Sequence, residues 1–140
     1  MLNTFENIET VRLKLGEFDS LGDTSAVYKD VEIKVFGGIP NEEVLVGIHR
    51  YTKRRKEIIF GVVLDVIVSS EHRIQPPCPY FGPCSGCQWQ HIDYSYQLII
   101  KNKEVTNQFR AYAELSEINV QPTLPSPDTF NYRNHARFTV

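Results

Sequence analysis

All three cysteines of the chain, Cys78, Cys84 and Cys87, fall within ten positions in the stretch PPCPYFGPCSGCQWQHIDYSYQ. Five residues separate the first pair and two the second. Thiols that serve only as small apolar core residues scatter along a chain, whereas thiols gathered among Pro and Gly suit a shared ligand. Two ligands fit. A zinc ion would be closed tetrahedrally by the three thiolates and His91, which follows Cys87 in CSGCQWQH; a loop histidine bonded to backbone is the plainer role for that residue. An iron–sulfur cluster would take four thiolates. Gly82 and Gly86 permit the dihedrals of a loop wrapped around a cluster, and Pro79 and Pro83 restrict the open loop. Tyr80, Phe81 and Trp89 are placed to shield such a cluster from water or, equally, to pack the loop against its neighbours.

A second constellation is HRYTKRRKE, which gathers Arg50, Lys53, Arg54, Arg55 and Lys56 around one turn, with Tyr51 among them. The formal net charge of the 140-residue chain is −2, so contact with a polyanion must come from a local patch of this kind. The cations suit phosphates and Tyr51 suits stacking on a base. The plainer alternative is a solvated hairpin tip that keeps a sheet edge from pairing. Lys29 and Lys34 extend the patch or decorate the surface, and Tyr132, Arg133 and Arg137 form a weaker second set.

The elements that must position these groups change character along the chain. Alternating apolar residues in VRLKLGEF, VEIKVFG, EEVLVGIHRY and EIIFGVVLDVIV predict short strands, separated by the turn signals DSLGDTS, GGIPNEE and TKRRK. Such spacing without helices predicts a small antiparallel barrel of the oligonucleotide-binding type over residues 1–70, a generic small barrel or sandwich being the alternative. Residues 71–92 read as the Cys-rich loop. Residues 93–140 open with a helix, for which Asp93 is the expected N-cap. Leu98, Asn102, Val105, Phe109 and Tyr112 follow helical spacing and predict a core-facing stripe. VQPTLPSPDTF is a connector, and NYRNHARFTV reads as a strand broken off at the last residue, the start of an α/β central domain. The most apolar run is interrupted by Asp65 and too short for a bilayer, so no membrane partner is expected. The first residues lack the apolar core of a signal peptide, and a reducing cytoplasm is the expected compartment.

CPYFGPCSGCQWQHIDYSYQLIIKNKEV resembles the iron–sulfur segment of the bacterial uracil-5 RNA methyltransferases: Cys, five residues, Cys-x-Gly-Cys, Gln-His, then an aromatic-Gln-Leu-x-x-Lys helix. The matching positions are Cys78, Cys84, Gly86, Cys87, Gln90, His91, Tyr96, Gln97, Leu98 and Lys101, with Ser85 where that family usually has a first glycine. The upstream half resembles the family's TRAM domain, a small RNA-binding barrel; Asn41 in GGIPNEEV replaces the glycine of a Leu-Pro-Gly-Glu turn. SSEHRIQPPC and SPDTFNYRNHARF match the flanking segments.

The resemblance implies a 4Fe–4S cluster on Cys78, Cys84 and Cys87, with a fourth thiolate further downstream. It implies RNA as partner, ribosomal (23S) rather than transfer RNA, since the cluster-bearing branch is similar to the ribosomal enzymes. It also implies a separate C-terminal domain that binds S-adenosylmethionine and carries the nucleophilic cysteine. None of the three cysteines here matches that nucleophile, so the expectation is a portion of such an enzyme, without catalytic residues and inactive alone. The spacing of the thiols differs from that of the radical enzymes, so an open iron for cofactor cleavage is not expected, and because nothing else redox-capable is visible the cluster is expected to be structural. A free-standing zinc-stabilised RNA-binding module is the alternative. The target uridine and the oligomeric state are not legible.

Overall fold

A computed structural model describes residues 8–84 and 86–132. The apolar alternation of the first half forms five strands: β1 (Glu9–Lys14), β2 (Thr24–Tyr28), β3 (Val31–Phe36), β4 (Glu43–Lys53) and β5 (Lys56–Val68). They make one curled sheet in the order β1-β4-β5-β3-β2. The mainly β architecture expected from the sequence is present, with two features that alternation does not disclose. β2 begins on the last residues of DSLGDTS, which reads as a turn. And β3 runs parallel to β5, with Lys34 opposite Phe60, while every other pair is antiparallel.

Because side chains alternate along a strand, one face of the curled sheet collects the apolar set. Leu15, Ala26, Tyr28, Ile33, Val35, Val44, Val46 and Ile48 form the buried core. Gly61 lets β5 cross this interior: a Cβ there would lie 2.4 Å from Val46 Cγ1 and 3.2 Å from Val35 Cγ2. The two edge strands meet. The Gly16 amide donates to the Ser25 carbonyl at 2.7 Å, and the Ser25 amide to that of Glu17 at 3.2 Å. The buried Tyr28 hydroxyl donates to Glu9 Oε1 at 2.7 Å and accepts from Arg50 Nη2 at 2.9 Å, tying β2 to β1 and β4. Joined edges leave less unpaired backbone to recruit foreign strands.

The GGIPNEE turn holds Asn41 at φ 69°, a left-handed conformation that Asn tolerates better than most residues, so it can stand in a glycine's place. The next residue, Glu42, is buried and accepts the Ile39 amide at 2.9 Å and the Ser70 amide at 3.1 Å.

The chain divides into two compact units, Met1–Ile92 and Asp93–Val140. The second is led by α1 (Tyr94–Arg110), and Asp93 caps it as expected, its side chain accepting the Tyr96 amide at 3.0 Å. The expected core stripe is not realised. Ile100 is the buried helix residue, Leu98 and Phe109 are half-buried, and Val105 and Tyr112 are exposed. A stripe is buried only where another layer covers it. Among the described residues of this unit, the helix is flanked by one 3-10 turn (Ala113–Leu115) and an extended connector. The polar member of the stripe, Asn102, fastens that connector by donating to the Gln121 carbonyl at 2.6 Å, and the Tyr94 hydroxyl accepts the Ser126 amide at 2.8 Å. The strand expected over NYRNHARFTV lies, from residue 133 onward, outside the described residues, as do Arg133 and Arg137.

Candidate nucleic-acid interface and thiol loop

β4 and β5 are joined by two residues, Arg54 at φ 49° and Arg55 at φ 64°. Positive φ at both central positions is the signature of a type I′ hairpin turn, which ordinarily takes Asn-Gly. A Cβ in the left-handed region costs about 1–2 kcal/mol per residue. Lys53 and Lys56 stand directly opposite each other across the same turn, and like charges so placed repel. None of Lys53, Arg54, Arg55 and Lys56 pairs with a carboxylate among the described residues. Four adjacent cations thus sit at one tip in a turn their residue types disfavour.

The other cations named from the sequence are not part of this group. Arg50 is bound to Glu9 Oε2 at 3.2 Å and to Tyr28, and Lys29 pairs with the same carboxylate at 3.0 Å. The Tyr28 hydroxyl, Lys29 and Arg50 together hold the Glu9 carboxyl down to about 2. Lys34 pairs with Asp19.

Tyr51 lies on the outer face of β4, at one end of an aromatic cluster that alternation and charge do not disclose. Phe60 is their centre: His49 stacks on it at 5.1 Å with planes 16° apart, Phe36 meets it edge-on at 5.5 Å and Tyr51 at 5.8 Å. A signal was available. A two-residue turn fixes the register of the hairpin, which sets Lys53 against Lys56, Tyr51 against Ile58 and His49 against Phe60.

The thiol loop belongs to the first unit. Its ends are brought together by a bridge between Arg73 and Ile92, and the Ile74 amide donates to the His91 carbonyl at 3.0 Å. Inside, the Phe81 amide donates to the Cys78 carbonyl and the Cys84 amide to that of Tyr80. The Cys78 amide reaches Gln90 Oε1 at 3.3 Å, and the Gly86 amide points at Cys84 Sγ at 3.4 Å. All three thiols are free; Cys78 is half-buried, and Cys84 and Cys87 are exposed. Among the described residues, no three His, Cys, Asp or Glu side chains are grouped around one point as a single ion would need.

His91 is turned into the barrel. It is 3% exposed, its Nε2 lies 3.3 Å from the Gly38 carbonyl, and Phe81 packs on its ring at 5.3 Å. Its Nδ1 is buried with no hydrogen-bond partner among the described residues. Burial, reinforced by the nearby Arg73 charge, pushes the imidazole down to about 4, so the ring is neutral. Trp89 anchors the loop from the other side: its Nε1 donates to the Gly22 carbonyl at 2.8 Å, its ring packs on Phe18, and Gln88 Nε2 donates to the Leu21 carbonyl at 2.6 Å. Tyr80 remains exposed. Trp89 therefore packs the loop onto the barrel, whereas Phe81 packs on His91 within the loop.

No helix among the described residues is long and apolar enough to cross a membrane. No protein-family model matches the chain. Over 94% of its length it is 32% identical to a protein of Gloeobacter violaceus named as an uncharacterized RNA methyltransferase, of which it spans 28%. Over 95% it is 35% identical to one of the same name from Clostridium tetani, of which it spans 27%. Over 76% it is 38% identical to another from Thermotoga maritima, of which it spans 23%. The chain is thus homologous to a part, about a quarter of the length, of bacterial proteins named as RNA methyltransferases.

Proposed function

We propose that the chain is the RNA-binding and iron–sulfur-ligating portion of an S-adenosylmethionine-dependent uracil-5 methyltransferase of 23S ribosomal RNA. The observation that carries the reading is the β4–β5 tip: four adjacent cations without carboxylate partners among the described residues, kept in a strained turn, in a chain similar to RNA methyltransferases. Repulsion of this kind is relieved when phosphates enter the tip. Methyl transfer falls to segments outside the stretch shared with those relatives, and no residue here is given a catalytic role.

Cys78, Cys84 and Cys87 would hold the cluster, which would act as a covalent cross-link of the loop. Their donor chemistry fits: three reduced thiols on a loop closed at its base, with a backbone N–H directed at one sulfur. The zinc alternative needs His91, whose Nε2 is engaged by Gly38; only the buried Nδ1 favours it.

Anaerobically purified chain tests both halves. Iron with acid-labile sulfide, and RNA affinity that falls steeply with salt, are the expected results. Stoichiometric zinc that is lost in His91→Ala, with no labile sulfide, would sink the cluster. RNA affinity no greater than that for a neutral polymer would sink the RNA-binding role.

A further inference from the structure

The outer face of the hairpin carries more than charge. Residues directly opposite in the β4–β5 ladder share a face, so Lys53 and Lys56, Tyr51 and Ile58, and His49 and Phe60 line one surface in that order from the tip inward. Phe36, on neighbouring β3, joins at the Phe60 end. A sheet face turned to water ordinarily alternates to polar residues. Here Tyr51 is 47% exposed and Phe36 39%, while Phe60 and His49 are half-buried. The rings brace one another in stacked and edge-on contacts, which orders them before anything binds. The lysine pair lies four residues along each strand from the His49–Phe60 pair, roughly 13 Å at the usual strand rise.

An aromatic floor beside a cationic rim complements a ligand with exposed flat faces on an anionic backbone. We infer that this surface, Phe36, His49, Tyr51 and Phe60, is a stacking platform for unpaired bases of a single-stranded RNA segment whose phosphates run to the Lys53–Lys56 tip. The inference rests on the RNA-binding reading above and adds to it the state of the RNA. Duplex RNA keeps its base faces inside the stack and offers this floor nothing, whereas every unpaired base presents a π face. A protein partner would use the apolar area of the face without needing its π faces.

The test compares a short single-stranded oligoribonucleotide, an abasic oligomer of equal charge and an RNA duplex, using the 140-residue chain and its Tyr51→Leu/Phe60→Leu and Phe36→Leu variants. Leucine keeps apolar bulk and removes the π face; circular dichroism and Trp89 emission check folding, and Phe36→Leu decides if the double variant is misfolded. The expected result is a roughly five- to hundredfold loss on the single strand, with an unchanged salt slope and unchanged duplex binding. Wild-type preference for the single strand over the abasic oligomer should shrink in parallel. Wild-type affinity in the leucine variants, or equal binding of the abasic oligomer, overturns the platform while leaving RNA binding through the tip intact. Failure of the wild type to bind any of the three ligands overturns both.

Discussion

The Arg73 guanidinium closes on the buried Glu42 carboxylate through two parallel bonds, Nε to Oε1 and Nη2 to Oε2, each 2.6 Å. Arg73 Nη2 also donates to the Gly37 carbonyl at 2.8 Å. The fork ties the turn before β4 to the segment that leads from β5 into the thiol loop. Removing one member leaves a buried charge unpaired, so Arg73→Met should cost about 3–5 kcal/mol in urea unfolding. The double variant Glu42→Leu/Arg73→Met should lose less than the single one. A double variant at least as unstable as Arg73→Met would show that the pair does not act as a unit.

Two buried groups contribute to the loss of stability in acid, His91 beginning at higher pH than Glu42. His91 is neutral in the fold at about 4 against an ordinary value of 6.5. Its contribution is therefore complete above pH 6.5 and is lost as pH falls toward 4, on the order of 3 kcal/mol. Burial opposes ionisation of Glu42, but Arg73 and the Ser70 and Ile39 amides outweigh it and hold that carboxyl below 4.5. Its contribution is present above the unfolded value and lost at lower pH. His91→Gln should flatten the dependence between pH 6.5 and 4 and leave the more acid loss in place. A variant with the wild-type profile across that interval would remove His91 as its source.

Gly22 and Trp89 position the loop on the barrel. Gly22 has φ +84°, and a Cβ there would lie 2.6 Å from Trp89 Cζ2. Gly22→Ala should therefore cost about 1–3 kcal/mol and unseat the indole. Trp89 is the chain's one tryptophan, so its emission reports this directly. A red-shifted, more quenchable emission is expected; a wild-type spectrum and stability would contradict the docking.

The tip turn sets charge against stability. Arg54→Asn/Arg55→Gly restores the residues that a type I′ turn prefers and should raise stability by about 1 kcal/mol or more. The same variant should weaken RNA binding. If it gains no stability, the turn is not strained.

The sequence made the curled sheet legible where alternation was clear, in β1, β3, β4 and β5, and it made Asp93 legible as a cap because capping is local chemistry. β2 was hidden because it begins on Thr24 and Ser25, the last residues of a Gly-Asp-Thr-Ser run that reads as a turn. The parallel β3–β5 pair and the Glu42–Arg73 fork depend on contacts between distant residues, which no local pattern encodes. In the helix, a regular stripe predicted burial that requires a covering layer, and Val105 and Tyr112 are exposed. At the candidate site the tip cations were legible as a cluster, but Arg50 was not separable from them until its bonds to Glu9 and Tyr28 were seen. The aromatic cluster that ends at Tyr51 was recoverable from hairpin register and was missed because TKRRK was read as a charged turn without setting the residues of the two flanking strands against each other.

The salt dependence of single-stranded RNA binding, measured for the wild type and for a variant with Lys53, Arg54, Arg55 and Lys56 all replaced by neutral residues, bears on the tip itself. Each phosphate neutralised on a single strand contributes about 0.7 to the slope of log affinity against log salt. Four engaged cations predict a slope shallower by up to about 3 in the variant. An unchanged slope, with the variant folded, would show that the phosphates do not meet this tip.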